Sequence, residues 1–411
     1  MSRIALTGMP AAGHVNPSVP LVRELVRRGV EVVYYSSDEF RDTIERTGAE
    51  FRPYPHGTVS ARAIADATTS GGPLRVVSKL LPAAQTLVPF LVEEFRALRP
   101  DAVAFDSNAL WGYMAAARAG LPKISLMTTF MLGVKDFRCL TAREWWHSMV
   151  PMLPDIPSVV AAKRRLVRAL GKDIFPPAPT LPIRGDVTLF PIPRELQPPN
   201  PLLDERCHFV GPTIDPANRA GEVDPELAEF LDGPEPLVLV SLGTLHAGTD
   251  AFFRTCFTAL ADVPARFVLA VGPHADPGTP PPNMLVRASV PQLDVLARAT
   301  AFVTHGGMNS ALEGLYYGVP LVVLPQQVEQ LIIARAVADK GAASVLRHNL
   351  SGRAVPPGEL RAAVERVLSD ASLRESAKAL SAGVRSAGGA TDGADVVQQF
   401  LITANSARPR Q

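Results

Sequence analysis

An apolar run, Ala301-Phe302-Val303-Thr304, gives way at once to His305-Gly306-Gly307-Met308-Asn309-Ser310, and then to Leu312, Leu315 and Tyr316 at helical spacing. Two adjacent glycines open backbone conformations closed to other residues and let a ligand approach the main chain. A helix start leaves N–H groups without ladder partners, and its dipole is positive there. Such a turn suits an anion, and His305 and Ser310 can add side-chain donors to a diphosphate. Gly-Gly alone would equally suit a tight strand-to-helix turn capped by Asn or Ser. The added His, Asn and Ser favour the phosphate reading.

Two further segments follow apolar runs. Ser241-Leu242-Gly243-Thr244 offers small hydroxyl donors and a glycine. Pro325-Gln326-Gln327-Val328-Glu329-Gln330 sets a carboxylate beside an amide, which suits a polyol: Glu329 accepts from hydroxyls, and Gln330 both donates and accepts. A glutamate at a helix start is also favoured by the dipole alone, with no ligand.

Near the N-terminus, Gly8 to Pro17 reads GMPAAGHVNP. It contains neither Gly-Lys-Ser/Thr nor Gly-x-Gly-x-x-Gly, so it is not a P-loop or a dinucleotide fingerprint. It carries His14 in a strand-to-helix loop, with Asn16 expected as the N-cap and Pro17 at the first helical position. A histidine at such a place can be incidental. Asp106 ends the apolar run 102–105 and precedes Ser107. No Asp-x-Asp occurs anywhere in the chain, so nothing in the sequence asks for a bound metal.

The elements that must hold these residues alternate regularly. Strands are expected at 3–6, 31–35, 102–105, 124–127 and 187–190, and again at 237–241, 267–271, 301–304 and 321–324. Between the first two, Leu21, Val22, Leu25 and Val26 share one helical face, and Gly29 stops the helix. β-α-β alternation predicts parallel sheets covered by helices on both faces. The fold class is therefore α/β, with two similar halves and a polar, proline-bearing linker. Two halves of this kind predict a cleft, with ligands at the carboxyl ends of strands. Residues 67–73 are small and glycine-rich and read as a mobile loop. Residues 130–182 break the alternation, with Trp145, Trp146, Met149 and Met152 ahead of Lys163-Arg164-Arg165. The basic run reads as a solvated helix face; the Trp-Met cluster suits a core or a pocket equally.

Composition agrees with two domains. The chain has 411 residues with 47% hydrophobic content, enough for two cores of about 200 residues each. A formal charge of +1 gives no bias toward polyanions, so nucleic acid is not expected as a partner. Cys139, Cys207 and Cys256 stand far apart, which suits three reduced thiols. No secretion signal and no membrane span are expected, and a cytoplasmic monomer or homodimer follows. Residues 404–411 are expected to be disordered.

Taken together, residues 237–340 resemble the donor domain of the family-one glycosyltransferases of GT-B fold. Ser241-Leu-Gly-Thr244, Val290-Pro291-Gln292, His305-Gly-Gly-Met-Asn-Ser310 and Glu329-Gln330 match that nucleotide-sugar signature in order and spacing. The likeness extends over nearly the whole chain and is greatest to bacterial macrolide and natural-product glycosyltransferases. It implies two Rossmann-like domains facing a cleft: an acceptor-binding domain at 1–212, a linker at 213–236, a donor-binding domain at 237–390, and a helix at 391–411 returning toward the first domain. It implies that His305 and Ser310 bind the diphosphate, that Gly306 and Gly307 let it approach, and that Asn309 supports the loop. Ser241, Gly243 and Thr244 would face the same donor. Glu329 and Gln330 would hold sugar hydroxyls, and Val290 and Gln292 would line the base and ribose pocket.

The family's Gly-His-x-x-Pro is matched by Gly13-His14-Val15-Asn16-Pro17, which makes His14 the implied base, with Asp106 as its partner. The implied reaction is transfer of a sugar from a UDP- or dTDP-sugar to a hydroxyl of a hydrophobic aglycone such as a macrolide, polyketide or flavonoid. It inverts the anomeric carbon and needs no cofactor or metal. Phe130, Trp145, Trp146 and Met149 are the candidates for the acceptor pocket. One departure stands out. Many relatives place Trp immediately before Val-Pro-Gln to stack on the base; here that residue is Ser289. Two other classes fit parts of the pattern: a nucleotide-sugar epimerase, which would need no large apolar pocket, and a nucleotide-sugar-binding accessory protein, which would not be expected to keep both His14 and Asp106.

Overall fold

The computed structural model describes residues 2–177, 181–219, 223–243, 248–273 and 275–406. The chain forms two compact units. One comprises Met1–Leu132, Pro151–Ile214 and Ala387–Gln411; the other comprises Gly133–Val150 and Asp215–Ser386.

The first unit is built on a seven-stranded parallel sheet. Its strands are β1 (Arg3–Thr7), β2 (Glu31–Ser36), β3 (Glu50–Pro53), β4 (Ala102–Asp106), β5 (Lys123–Leu126), β6 (Val187–Phe190) and β7 (Cys207–Phe209), in the order β3-β2-β1-β4-β5-β6-β7. β1, β2 and β4 are almost wholly buried, as expected of strands covered on both faces. The strand order reverses between β1 and β4. Their carboxyl ends flank the crevice at which open α/β sheets bind ligands.

The second unit repeats the scheme with six parallel strands. These are β8 (Leu237–Ser241), β9 (Arg266–Ala270), β10 (Met284–Arg287), β11 (Ala301–Thr304), β12 (Leu321–Val323) and β13 (Ala343–Val345), in the order β10-β9-β8-β11-β12-β13. The reversal falls between β8 and β11, where Ser241 pairs in register with Thr304. Both halves are thus doubly wound α/β sheets. The strands absent from the sequence reading, β3, β7, β10 and β13, all lie at or next to sheet edges. β7 and β13 are only half-buried along their length, so their residues carry no continuous apolar run.

Several local expectations are corrected. Residues 67–73 are not a loop: the backbone is helical from Ala61 to Leu98, through Gly71, Gly72 and Pro73. Tertiary packing overrides the local breakers. Leu80, Leu87, Leu91, Phe95 and Leu98 bury one face of this helix against Leu110, Trp111, Met114 and Leu166. Ser60 caps its start, accepting a hydrogen bond from the Ala63 amide at 3.3 Å. The stretch Pro73–Leu98 is long and apolar enough to cross a membrane by length and composition, yet much of it lies in this core.

The stretch 213–236, read as a linker, contains the short helices Pro216–Arg219 and Pro225–Leu231. The terminal helix Ala390–Ser406 continues through residues 404–406, and the rest of the expected tail lies outside the described residues. Ala394, Val397 and Leu401 of that helix pack with Leu21 and Leu25. Its Asp395 accepts from Arg28 at 2.5 Å.

Candidate functional site

The first site forms where β1 and β4 end. After β1 the chain turns through Gly8, whose amide bonds to the Tyr35 carbonyl and whose carbonyl accepts from the Tyr54 hydroxyl at 2.9 Å. A methyl group on Gly8 would meet the Tyr34 ring at 2.7 Å, so the turn requires glycine. The helix then begins at Ala12, with extended Ala11 as its N-cap. This places Asn16 and Pro17 inside the helix rather than at its cap and first position. The amides of His14 and Val15 both bond to the Ala11 carbonyl, closing the first turn earlier than the proline suggested.

His14 therefore projects from the first helical turn toward the end of β4. Its Nδ1 lies 2.8 Å from Oδ2 of Asp106, whose Oδ1 accepts from the Asn108 amide, also at 2.8 Å. Asp106 is buried, and both its oxygens are engaged, which fixes the carboxylate plane. A carboxylate beside Nδ1 holds the ring proton there and leaves Nε2 as the basic nitrogen. The Thr128 hydroxyl stands 3.2 Å from the same Nδ1. Burial pushes the hydroxyls of Tyr34 and Tyr54 above their ordinary range, so both stay neutral around the pair. A pocket lined by His14, Asp106, Leu126, Met127, Thr128 and Leu189, among others, opens beside the imidazole.

The second site forms where β8 and β11 end. The His305 ring occupies a slot between two glycines: a methyl group on Gly243 would lie 2.6 Å from its Cε1, and one on Gly307 would lie 2.5 Å from its Nε2. Gly243 and Gly306 both take positive φ, at +82° and +80°. A methyl group on Gly306 would stand 2.5 Å from Cγ1 of Val323 and 3.3 Å from the Gln330 carbonyl. Ser241, buried at the end of β8, lies 3.4 Å from the Gly243 amide. Thr244 lies outside the described residues. The helix Met308–Tyr316 starts directly after Gly307, which gives it no side-chain cap, and no acidic residue occupies its first turn. Asn309 and Ser310, both half-buried, stand in that turn. Helix N-terminus, glycine slot and imidazole are together of the kind that suits an anion.

Around it, Glu329 and Gln330 open the helix Val328–Ala338. Glu329 is half-buried, whereas Gln330 is buried and its amide oxygen accepts from the Gln326 and Gln327 amides at 2.7 and 3.2 Å. That oxygen shapes the loop, so Gln330 retains only its nitrogen for a hydroxyl ligand. Val290 and Gln292 are half-buried and Ser289 is exposed. Gln292 donates to Oε2 of Glu313 at 2.5 Å, and Arg219 pairs with the other oxygen. Sequence reading missed both Glu313 and Arg219. A glutamate at a core position of the helix after His305-Gly-Gly was the available signal for the first; nothing local marks the second.

Of the four acceptor candidates, Phe130 belongs to the first unit and Trp145, Trp146 and Met149 to the second. Phe130 is 1% exposed and packed in the first unit, so its ring is core. Trp145 and Trp146 are 51% and 66% exposed on the helix Ala142–Met149, which packs with the second unit, as does half-buried Met149. Lys163, Arg164 and Arg165 are exposed on the helix Ile156–Leu170, a solvated face as expected.

Comparison with known proteins follows the same lines. The family model described as UDP-glucoronosyl and UDP-glucosyl transferase matches residues 179–385. Demethyllactenocin mycarosyltransferase of Streptomyces fradiae is 32% identical over 98% of this chain and 87% of its own length. NDP-glycosyltransferase YjiC of Bacillus licheniformis is 32% identical over 98% of both chains. The crystal structure of the glycotransferase of kitacinnamycin superposes with a TM-score of 0.78 at 32% identity, covering 97% of this chain and 98% of that one. With the glycine slot, the His-Asp pair and two doubly wound sheets, these similarities make the chain a glycosyltransferase of GT-B fold that belongs to the UDP-glucoronosyl and UDP-glucosyl transferase family.

Proposed function

We propose that the chain transfers a sugar from a UDP- or dTDP-sugar to a hydroxyl of a hydrophobic natural-product aglycone, with inversion at the anomeric carbon. The observation that carries this reading is the 2.8 Å contact of His14 Nδ1 with buried Asp106. An alcohol or phenol is a weak nucleophile near neutral pH. Nε2 of His14 takes its proton as the oxygen attacks the anomeric carbon, and Asp106 orients the ring and stabilises the imidazolium. The new carbon–oxygen bond forms on the face opposite the diphosphate. The old bond breaks with its electron pair passing to the nucleoside diphosphate.

The negative charge that develops there meets the start of the helix Met308–Tyr316, with His305 and Ser310 as side-chain donors. These groups supply positive potential without a metal. Glu329, and Gln330 through its amide nitrogen, hold sugar hydroxyls. The acceptor class rests on relatives such as demethyllactenocin mycarosyltransferase, whose names refer to natural products.

The test is a mass-spectrometric screen of macrolide, polyketide and flavonoid aglycones against UDP-glucose and dTDP-sugars, with His14→Ala in parallel. Transfer by the wild type, lost in the variant and unaffected by a chelator, is the expected outcome. Hydrolysis of the donor without transfer to any aglycone, at equal rates in both proteins, would overturn it.

A further inference from the structure

The helix Ala12–Arg27 carries His14 in its first turn and contains Pro17 and Pro20. A proline has no amide hydrogen, so two rungs of the ladder that would stiffen these turns are missing. Hydroxyls tie the same turns from the side. Ser18 donates to the Val15 carbonyl at 2.7 Å, which leaves its oxygen to accept from the buried Tyr34 hydroxyl at 2.8 Å. Thr213 donates to the Pro17 carbonyl at 2.5 Å, across 196 positions of sequence.

The backbone that holds Thr213 is itself fixed. A methyl group on Gly211, whose φ is +83°, would collide with Cβ of Ala387, and one on Gly389 would stand 2.7 Å from the Pro212 carbonyl oxygen. The Gly389 amide donates to the Val210 carbonyl at 2.7 Å. The chain leaves the first unit after Ile214 and re-enters it at Ala387. The outgoing and returning segments are therefore stitched together inside that unit, and Thr213 joins the stitch to the helix of His14. Thr213 is buried and lines the pocket beside the imidazole.

We propose that Thr213 is a positioning residue for sugar transfer. Through the Pro17 carbonyl it holds the turns that keep His14 Nδ1 against Asp106, and so keeps Nε2 aimed at the acceptor hydroxyl. His14 stands one turn ahead of Pro17, so a turn released at Pro17 carries the imidazole out of register with Asp106. This rests on the reading above, in which His14 is the base.

The experiment combines steady-state transfer from UDP-glucose to a flavonoid with long-range proton–nitrogen spectra of the histidine rings, the His14 signals being identified by their loss in His14→Ala. Both use the full chain, with a thermal melt for each variant. Thr213→Val should lower kcat about tenfold, the scale of a small misplacement of a reacting group, and leave KM for UDP-glucose near that of the wild type. It should also move the His14 signals from the Nδ1-protonated form toward a mixture of the two tautomers. Thr213→Ser, which keeps the hydroxyl, should restore both. Thr47→Val removes a comparable buried bond in the same unit, donated to the Ile44 carbonyl at 2.6 Å. It should lower the melting temperature and leave kcat and the His14 signals unchanged. Unmoved His14 signals in Thr213→Val would overturn the proposal, as would an equal displacement of them in Thr213→Ser or Thr47→Val. Full turnover in His14→Ala would instead remove His14 as the base, while the spectra would still decide whether Thr213 holds its ring.

Discussion

Gly243 lies against the imidazole of His305 so closely that a methyl group there would stand 2.6 Å from Cε1. Two loops from the ends of neighbouring strands thus share one slot, which is open to the ring because glycine carries no side chain there. Gly243→Ala should displace His305 and weaken UDP binding by about tenfold, a loss comparable to one charge-assisted hydrogen bond. Positive φ alone would also strain an alanine, so a control is needed. Gly278 has φ of +91° with nothing within 4 Å of a methyl group. Gly278→Ala should cost about 1 kcal/mol of stability and bind UDP normally. Titration calorimetry on both variants separates clash from strain; equal affinities would remove the slot from donor binding.

His14→Ala should lower kcat/KM by about 10² to 10⁴ and leave nucleotide-sugar affinity near that of the wild type. Asp106→Asn keeps the shape of the site but replaces the ionised partner of the imidazolium, so its loss should fall in kcat, with KM for the donor little changed. Steady-state kinetics against donor, at saturating aglycone, read both. Unchanged turnover in His14→Ala would exclude it as the base.

Much of this was legible in the sequence because both sites sit at strand ends. β1, β4, β8 and β11 are buried central strands with continuous apolar runs, so their ends could be placed from pattern, while the choice of His14 and Asp106 there came from the family resemblance. Edge strands such as Cys207–Phe209 have one row of neighbours and no such run. The helix through Gly71-Gly72-Pro73 was hidden because its stability comes from contacts with Leu110–Ala119 and Ile156–Leu170, far away in sequence. Trp145 and Trp146 read as core or pocket by residue type; both are exposed and so not core, because it is Glu144 that their helix buries. The pairing of Arg219 with Glu313 spans 94 positions, and no local pattern encodes a partner at that distance.

Glu329→Ala should weaken binding of the whole UDP-sugar by about tenfold while leaving UDP itself unaffected. Glu329 is half-buried at the start of a helix, where its charge is also favoured by the dipole, so its removal should cost less than about 1 kcal/mol of stability. Competitive titration with UDP and UDP-glucose distinguishes the two. A loss shared equally by both ligands would place the effect on the loop rather than on sugar hydroxyls.

A buried acid holds the helix bearing the two exposed tryptophans. Arg347 donates to both oxygens of Glu144, at 2.8 and 2.6 Å, and the Thr141 amide and hydroxyl add bonds at 2.8 and 2.9 Å. Burial pushes the Glu144 carboxyl up, but the bonds from Arg347 and Thr141 outweigh it and leave the group below its ordinary value. A carboxyl lowered in the folded state contributes stability above its unfolded pKa of about 4.3, and that contribution fades as pH falls through the folded value. Glu144→Gln should lower stability at pH 7 by about 1–3 kcal/mol, because Arg347 loses its ionised partner. The gap between the two proteins should close as pH drops below about 4. Urea unfolding followed by circular dichroism at pH 7, 5 and 3.5 checks this; a gap that stays constant with pH would show that the ionised carboxylate is not what holds the helix.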